Sequence, residues 1–163
     1  MGVITDFIWH LAPFILVLSL VVTVHELGHF LVAKACGVAV ERFSIGFGRA
    51  IFSRRDRAGV EWRVGWIPLG GYVMFAGDAN AASVPDAEGL KAMKSEILAK
   101  GGPEALARHY HFKPVWQRAL VTAAGPAANF LLAIALFAAL FMTFGERTLA
   151  PRIGAVSLPF SMR

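Results

Sequence analysis

The chain has 163 residues, 56% of them hydrophobic, which is room for one small domain and too apolar a composition for two soluble ones. A formal charge of +5 would suit a nucleic-acid binder, yet twelve of the sixteen basic residues fall between Gly37 and Arg118 beside eight acidic ones, a mixed segment instead of a basic stripe. The single cysteine, Cys36, excludes an internal disulfide and a cysteine zinc cluster, and packing at a helix end is its expected role.

The first predicted element is a membrane-spanning helix within residues 1–36. From Leu11 to Val24 fourteen residues carry no formal charge, and the apolar character resumes with FLVA before Lys34. MGVITDF lacks the basic residues of a signal-peptide start, and VAKAC is neither a convincing cleavage site nor a lipoprotein acceptor, so an uncleaved span is expected.

Inside this span stands His25-Glu26-Leu27-Gly28-His29. Histidines at i and i+4 share one helix face and can hold one zinc ion, while Glu26, turned aside from them, can act as general base on a zinc-activated water. A five-residue match can arise by coincidence, and a helical histidine pair can simply be hydrogen bonded. Against that, ionisable side chains near a bilayer centre cost about 2.5 kcal/mol or more each, so three of them together point to function.

Residues 37–77 are predicted to be a β region. Phe43, Ile45 and Phe47 alternate with Ser44 and Gly46, and Val60, Trp62, Val64 and Trp66 alternate with Glu61, Arg63 and Gly65. Arg54 to Gly59 makes a polar turn, and Pro68-Leu69-Gly70-Gly71 breaks the pattern before YVMF. Such a sheet beside a membrane helix is either partly embedded at the interface or packed on the helices. An exposed strand edge could hold an unwound substrate backbone, although a plain structural hairpin fits the pattern equally well.

Residues 78–118 form an Ala-rich insert of mixed charge, with a short helix expected from about Leu90 to Lys100 and stopped by Gly101-Gly102-Pro103. His109 and His111 could share a strand face and reach a metal, but surface histidines explain them more simply. The second span, within 119–145, has twenty-six residues without a charged side chain from Ala119 to Phe144. Small residues in TAAGPAANF invite close helix approach, Gly125-Pro126 invites a kink, and Asn129 is either an interhelical hydrogen-bonding group or a contact to substrate or to the activated water. By the positive-inside rule the 37–118 connection is cytoplasmic, with the N-terminus and the 146–163 tail on the opposite side. No glycine-rich phosphate loop, serine nucleophile motif or internal repeat is present. The expected fold class is therefore membrane α-helical with a small β region, two transmembrane helices joined by a β-hairpin segment and a short helical insert.

The ordered set HELGH, FSIGFG, GVEWRVGWIPLGGYVMFAGD and F-KPVWQRALVTAAGPAANF resembles the site-2 protease family of intramembrane zinc metalloproteases, in its bacterial regulator-of-sigma-E protease type, from about Val21 to Phe144. The resemblance implies an endopeptidase of the bacterial inner membrane that cuts transmembrane segments of single-pass proteins such as anti-sigma factors. His25 and His29 match the zinc ligands and Glu26 the catalytic glutamate. Trp62, Gly70 and Gly71 fall in the region thought to present substrate, and Asn129 matches a recurring position of the second span.

The family's third ligand is an aspartate of an LDG motif on a later helix, beyond one or two PDZ domains, and the chain departs from that pattern by ending at Arg163. Pro151 to Val156 is similar to the start of a PDZ domain before SLPFSMR, so a fragment or truncated frame is expected, weak or inactive alone unless another chain or segment supplies the ligand. Asp78, His109 and His111 are the internal candidates for completing the site. The competing reading is a non-catalytic membrane module or decoy that captures substrate helices through the β region.

Overall fold

A computed structural model describes residues 2–78 and 87–145. The 146–163 tail, with its PDZ-like start, lies outside the described residues. The order of elements is helix α1 (Val3–Ala35), strands β1 (Val40–Arg55) and β2 (Glu61–Phe75), helix α2 (Ala87–Ala107), a single 3-10 turn (Tyr110–Phe112) and helix α3 (Val115–Phe144). Helices α1 and α3 are both long and apolar enough to cross a membrane.

Each long helix extends past its uncharged core. α1 continues through Lys34 to a Schellman ending: Gly37 has φ 68°, its N–H bonds the Lys34 carbonyl at 3.0 Å, and Val38 N–H bonds the Ala33 carbonyl at 2.9 Å. α3 starts at Val115, four residues before the predicted Ala119, because Pro114 can stand as its cap and Trp116 and Gln117 continue the helix. It runs through Pro126 as one element to Phe144. Lys113, just ahead of α3, donates from Nζ to the Cys36 carbonyl at 2.7 Å and ties the starts and ends of the two spans together.

α1 and α3 touch through small residues. A Cβ on Gly28 would lie 2.4 Å from the Ala124 carbonyl oxygen and 2.8 Å from the Ala128 Cβ, so only glycine permits this approach. Within a membrane such close backbone packing is what drives helix association, because lipid is as apolar as the side chains.

The two strands form one antiparallel sheet with a pronounced bend. Residues 42–45 of β1 are flanked on one side by 71–74 of β2 and on the other by 61–64, while the far half of β1, 50–55, also pairs with 61–65. Gly46, at φ 80°, allows the turn-over, and a Cβ there would strike the Ile67 carbonyl oxygen at 2.7 Å. The expected break at Pro68 to Gly71 is absorbed as this bend, so β2 is a single curved strand from Glu61 to Phe75. Phe43 is buried at its centre with Phe30 of α1 and Val121 of α3, and Trp62 packs its ring 5.2 Å from Phe30 and 4.9 Å from Phe43. Cys36 is a free thiol packed against this cluster.

The bend also decides where the sheet lies. Ser19 Oγ, in the middle of the apolar run of α1, donates to the Pro68 carbonyl. The sheet tip therefore lies along the spanning helix, and it presents Ile51 and Trp66 at 73% and 66% exposure together with Phe52 and Leu69. Packing on α1 and an apolar outer tip thus occur together.

At the other end the turn between the strands is built on Asp56. Its Oδ1 accepts from Ala58 N–H at 2.8 Å and Val60 N–H at 3.0 Å, and its Oδ2 accepts from the Trp62 indole at 3.1 Å. The Trp62 bond first, then those of Val60 and Ala58, hold the Asp56 carboxyl below the ordinary aspartate value of about 3.9. A depressed folded-state pKa means that the stabilisation is complete above the unfolded value and is lost as pH falls through the folded one. The indole N–H resonance of Trp62 is expected to titrate with a midpoint below 3.9, and Asp56→Ala should abolish that step. An unchanged titration in the variant would show that another group is responsible.

Helix α2 spans Ala87–Ala107 where Leu90 to Lys100 was expected, and it has two parts. Gly102, at φ 68° and ψ −168°, interrupts it, and Pro103 opens the second part. The predicted stop is real, but Pro is well suited to a helix's first turn, so the helix restarts. No α2 residue is buried.

Candidate metal centre

Residues 25–29 occupy the part of α1 that faces both α3 and the sheet. His25 Nε2 and His29 Nε2 stand 3.1 Å apart, their rings in an edge-to-face arrangement with centroids 4.8 Å apart. Two ligands at a zinc–nitrogen distance of 2.0–2.1 Å and a tetrahedral angle would have nitrogens about 3.3 Å apart, so the pair fits one zinc ion closely. The remaining nitrogens are held from α3. His29 Nδ1 meets the Val121 carbonyl at 2.7 Å, which fixes Nδ1 as the protonated nitrogen and leaves the Nε2 lone pair for a metal. His25 Nδ1 meets the Asn129 carboxamide at 3.2 Å.

Gly125, between those two partners on α3, faces the ligand atoms directly. A Cβ there would lie 2.4 Å from His29 Nε2 and 2.7 Å from His25 Nε2. The absence of a side chain at this position makes the cradle. Val121, Gly125 and Asn129 are spaced i, i+4 and i+8, one face of the helix.

Glu26 lines a cavity of about 170 Å³ with His29, Val73, Phe75, Tyr110, Val121 and Thr122. The second half of β2 forms one wall, and Gly71 brings it in: a Cβ at Gly71 would lie 3.2 Å from Glu26 Cγ. Tyr110 closes another side, stacked on Phe75 at 4.8 Å with its hydroxyl 3.1 Å from Thr122 Oγ1. The Glu26 carboxylate thus lines an open cleft beside the histidine pair, with Val73 and Phe75 of β2 on one side.

The other residues singled out from the sequence have different surroundings. Trp62 is engaged in the aromatic cluster and with Asp56, and Gly70 is buried against the Phe47 ring. Of the internal candidates for a third ligand, His111 Nε2 pairs with Asp78 Oδ1 at 3.0 Å and His109 Nδ1 with the Ala105 carbonyl at 2.8 Å. Residues 110–112 form a 3-10 turn, so His109 and His111 do not share a strand face. Among the described residues no group of three His, Cys, Asp or Glu side chains is arranged to hold a metal. Among the described residues His25 and His29 are thus a pair with no third such side chain beside them. Val121, Gly125 and Gly28 were not singled out as site residues from the sequence; the i, i+4, i+8 spacing of Val121, Gly125 and Asn129 on α3 and the place of Gly28 inside the His-Glu-Leu-Gly-His run of α1 are the signals that could have found them.

Two long apolar helices thus frame a helix-borne His-Glu-x-x-His set with a sheet folded against it. The family model of peptidase family M50 matches residues 13–161, and the chain belongs to that family. It is 57% identical over 92% of its length to the metalloprotease MmpA of Caulobacter vibrioides, covering 38% of that protein. It is 43% identical over 92% of its length to the protease RseP of Yersinia pestis, covering 29%. A protein of Agrobacterium fabrum provisionally named a zinc metalloprotease is 46% identical over 90% of the chain, which covers 37% of it. The chain thus spans little more than a third, or less, of each of these relatives.

Proposed function

We propose that this chain carries the zinc-binding and general-base half of an intramembrane metalloendopeptidase that cuts transmembrane segments of single-pass proteins, anti-sigma factors among them. The observation that carries the reading is the 3.1 Å pairing of two Nε2 atoms on an apolar helix, opposite a glycine and beside a carboxylate-lined cavity. When bound, zinc supplies Lewis acidity, which acidifies water and polarises a carbonyl. His25 and His29 hold it. Glu26 takes the proton of the attacking water on its carboxylate and returns it to the leaving amine nitrogen. Residues 71–75 of β2, forming the cavity wall, hold an unwound substrate backbone by strand addition, with Gly70 and Gly71 permitting the approach. Trp62 serves that function indirectly, by fixing the sheet against α1.

The distribution of Lys and Arg supports a cytoplasmic 37–118 segment in a bacterial inner membrane, with both chain ends at the periplasmic face. The third ligand comes from outside the described residues or from another chain, so the described residues alone are expected to hold zinc measurably through His25 and His29 but less tightly than a completed site, with little turnover. Strong proteolysis by the purified chain would contradict this.

The test is zinc stoichiometry of the detergent-purified chain beside His25→Ala and His29→Ala. Each variant should lose the bound zinc, and unaltered stoichiometry in either would overturn the assignment. In a longer form that turns over, Glu26→Gln should slow cleavage by about 10²–10⁴-fold while zinc and substrate capture persist. Cleavage at the parent rate would remove Glu26 from the chemistry, and capture without turnover in the parent would favour the binding-module reading.

A further inference from the structure

Asn129 contacts the ligand pair, yet its carboxamide oxygen is buried with no hydrogen-bond partner, while the nitrogen lies 3.2 Å from His25 Nδ1. Oxygen and nitrogen of a carboxamide exchange places by a half-turn with almost no change of shape, so the network decides their assignment. A histidine that binds metal through Nε2 carries its hydrogen on Nδ1 and needs an acceptor there. For His29 that acceptor is the Val121 carbonyl. For His25 the group in place is Asn129, and it can accept only through oxygen.

Resting on the zinc reading above, we infer that Asn129 is a positioning residue: its Oδ1 accepts the Nδ1–H of His25, fixing the tautomer and ring angle that aim Nε2 beside that of His29. Both zinc ligands on α1 are thereby oriented from one face of α3, His29 by a main-chain carbonyl and His25 by a side chain. The orphaned oxygen becomes a partner. The opposite assignment, with the amide donating to Nδ1, puts the His25 proton on Nε2, where it donates to His29 Nε2 at 3.1 Å and leaves His25 no lone pair for a metal.

The experiment compares Asn129→Asp, which keeps an acceptor, with Asn129→Leu, which keeps the bulk and loses it, in the full 163-residue chain in micelles. Zinc affinity is read by chelator competition, and the His25 ring nitrogens by ¹⁵N chemical shift. Asn129→Leu is expected to weaken zinc about 10–100-fold and to move the His25 proton to Nε2, whereas Asn129→Asp stays close to wild type in both. Equal loss in the two variants, or full affinity in Asn129→Leu, would overturn the inference. If the wild-type chain takes no zinc, the zinc reading fails and this inference fails with it; if the wild type takes zinc and Asn129→Leu binds it equally, the zinc reading stands and this inference alone fails.

Discussion

Replacing Gly125 by alanine is expected to abolish zinc binding, at least 100-fold in affinity, while leaving the fold nearly intact. The added methyl would sit 2.4 Å from His29 Nε2 and 2.7 Å from His25 Nε2, inside the space that two zinc ligands must share. Those rings are side chains and can swing away. In doing so they surrender the 2.7 Å bond to the Val121 carbonyl and the contact with Asn129, so both lose the orientation that makes them ligands. Alanine is also the better helix former by about 1 kcal/mol, which offsets part of the cost of moving two rings. Chelator competition and thermal unfolding of Gly125→Ala beside the parent would separate the two effects. Zinc affinity within threefold of the parent would mean that the metal does not lie against Gly125.

Much of this arrangement could be read from residue order. The two spans follow from runs without charge, and the ligand pair with its glutamate follows from spacing on one helix. The strands were legible because Phe43 to Phe47 and Val60 to Trp66 alternate, and the turn because the polar run Arg54 to Gly59 interrupts them, although Arg54 and Arg55 still pair as the end of β1. What alternation could not reveal is the bend: period two says which residues share a face but nothing about a strand folding over at Gly46 so that residues 42–45 pair on both sides. The same limit explains Gly70 and Gly71, which look like a strand break and instead let β2 pass close to Phe47 and Glu26. Helix α2 shows a different limit, since Gly102-Pro103 is as good a restart as a stop, and which occurs depends on residues 104–107 remaining helical. On α3 the small residues announced a close helix contact, but not that Gly125 faces the histidines and Ala124 and Ala128 face Gly28. Those assignments need the rotation of one helix against the other, which is a tertiary quantity.

That rotation is what Gly28 secures, and Gly28→Ala should therefore damage both the packing and the metal site. The new Cβ would meet the Ala124 carbonyl oxygen at 2.4 Å, the Ala124 carbonyl carbon at 3.0 Å and the Ala128 Cβ at 2.8 Å. None of these can move without moving α3, in contrast to the rings opposite Gly125. The helices must separate, and overpacking of this kind costs about 1–3 kcal/mol. Separation also lengthens the 2.7 Å bond from His29 to Val121 and the 3.2 Å contact from Asn129 to His25, because each joins the same two helices. Gly28→Ala is thus expected to lower the unfolding midpoint in micelles and to weaken zinc together, whereas Gly125→Ala weakens zinc alone. The pairing of outcomes is the test. If Gly28→Ala unfolds like the parent, the close contact between α1 and α3 is not what holds the ligand pair in register with its supports. If it unfolds early yet binds zinc with the parent's affinity, the site does not depend on α3.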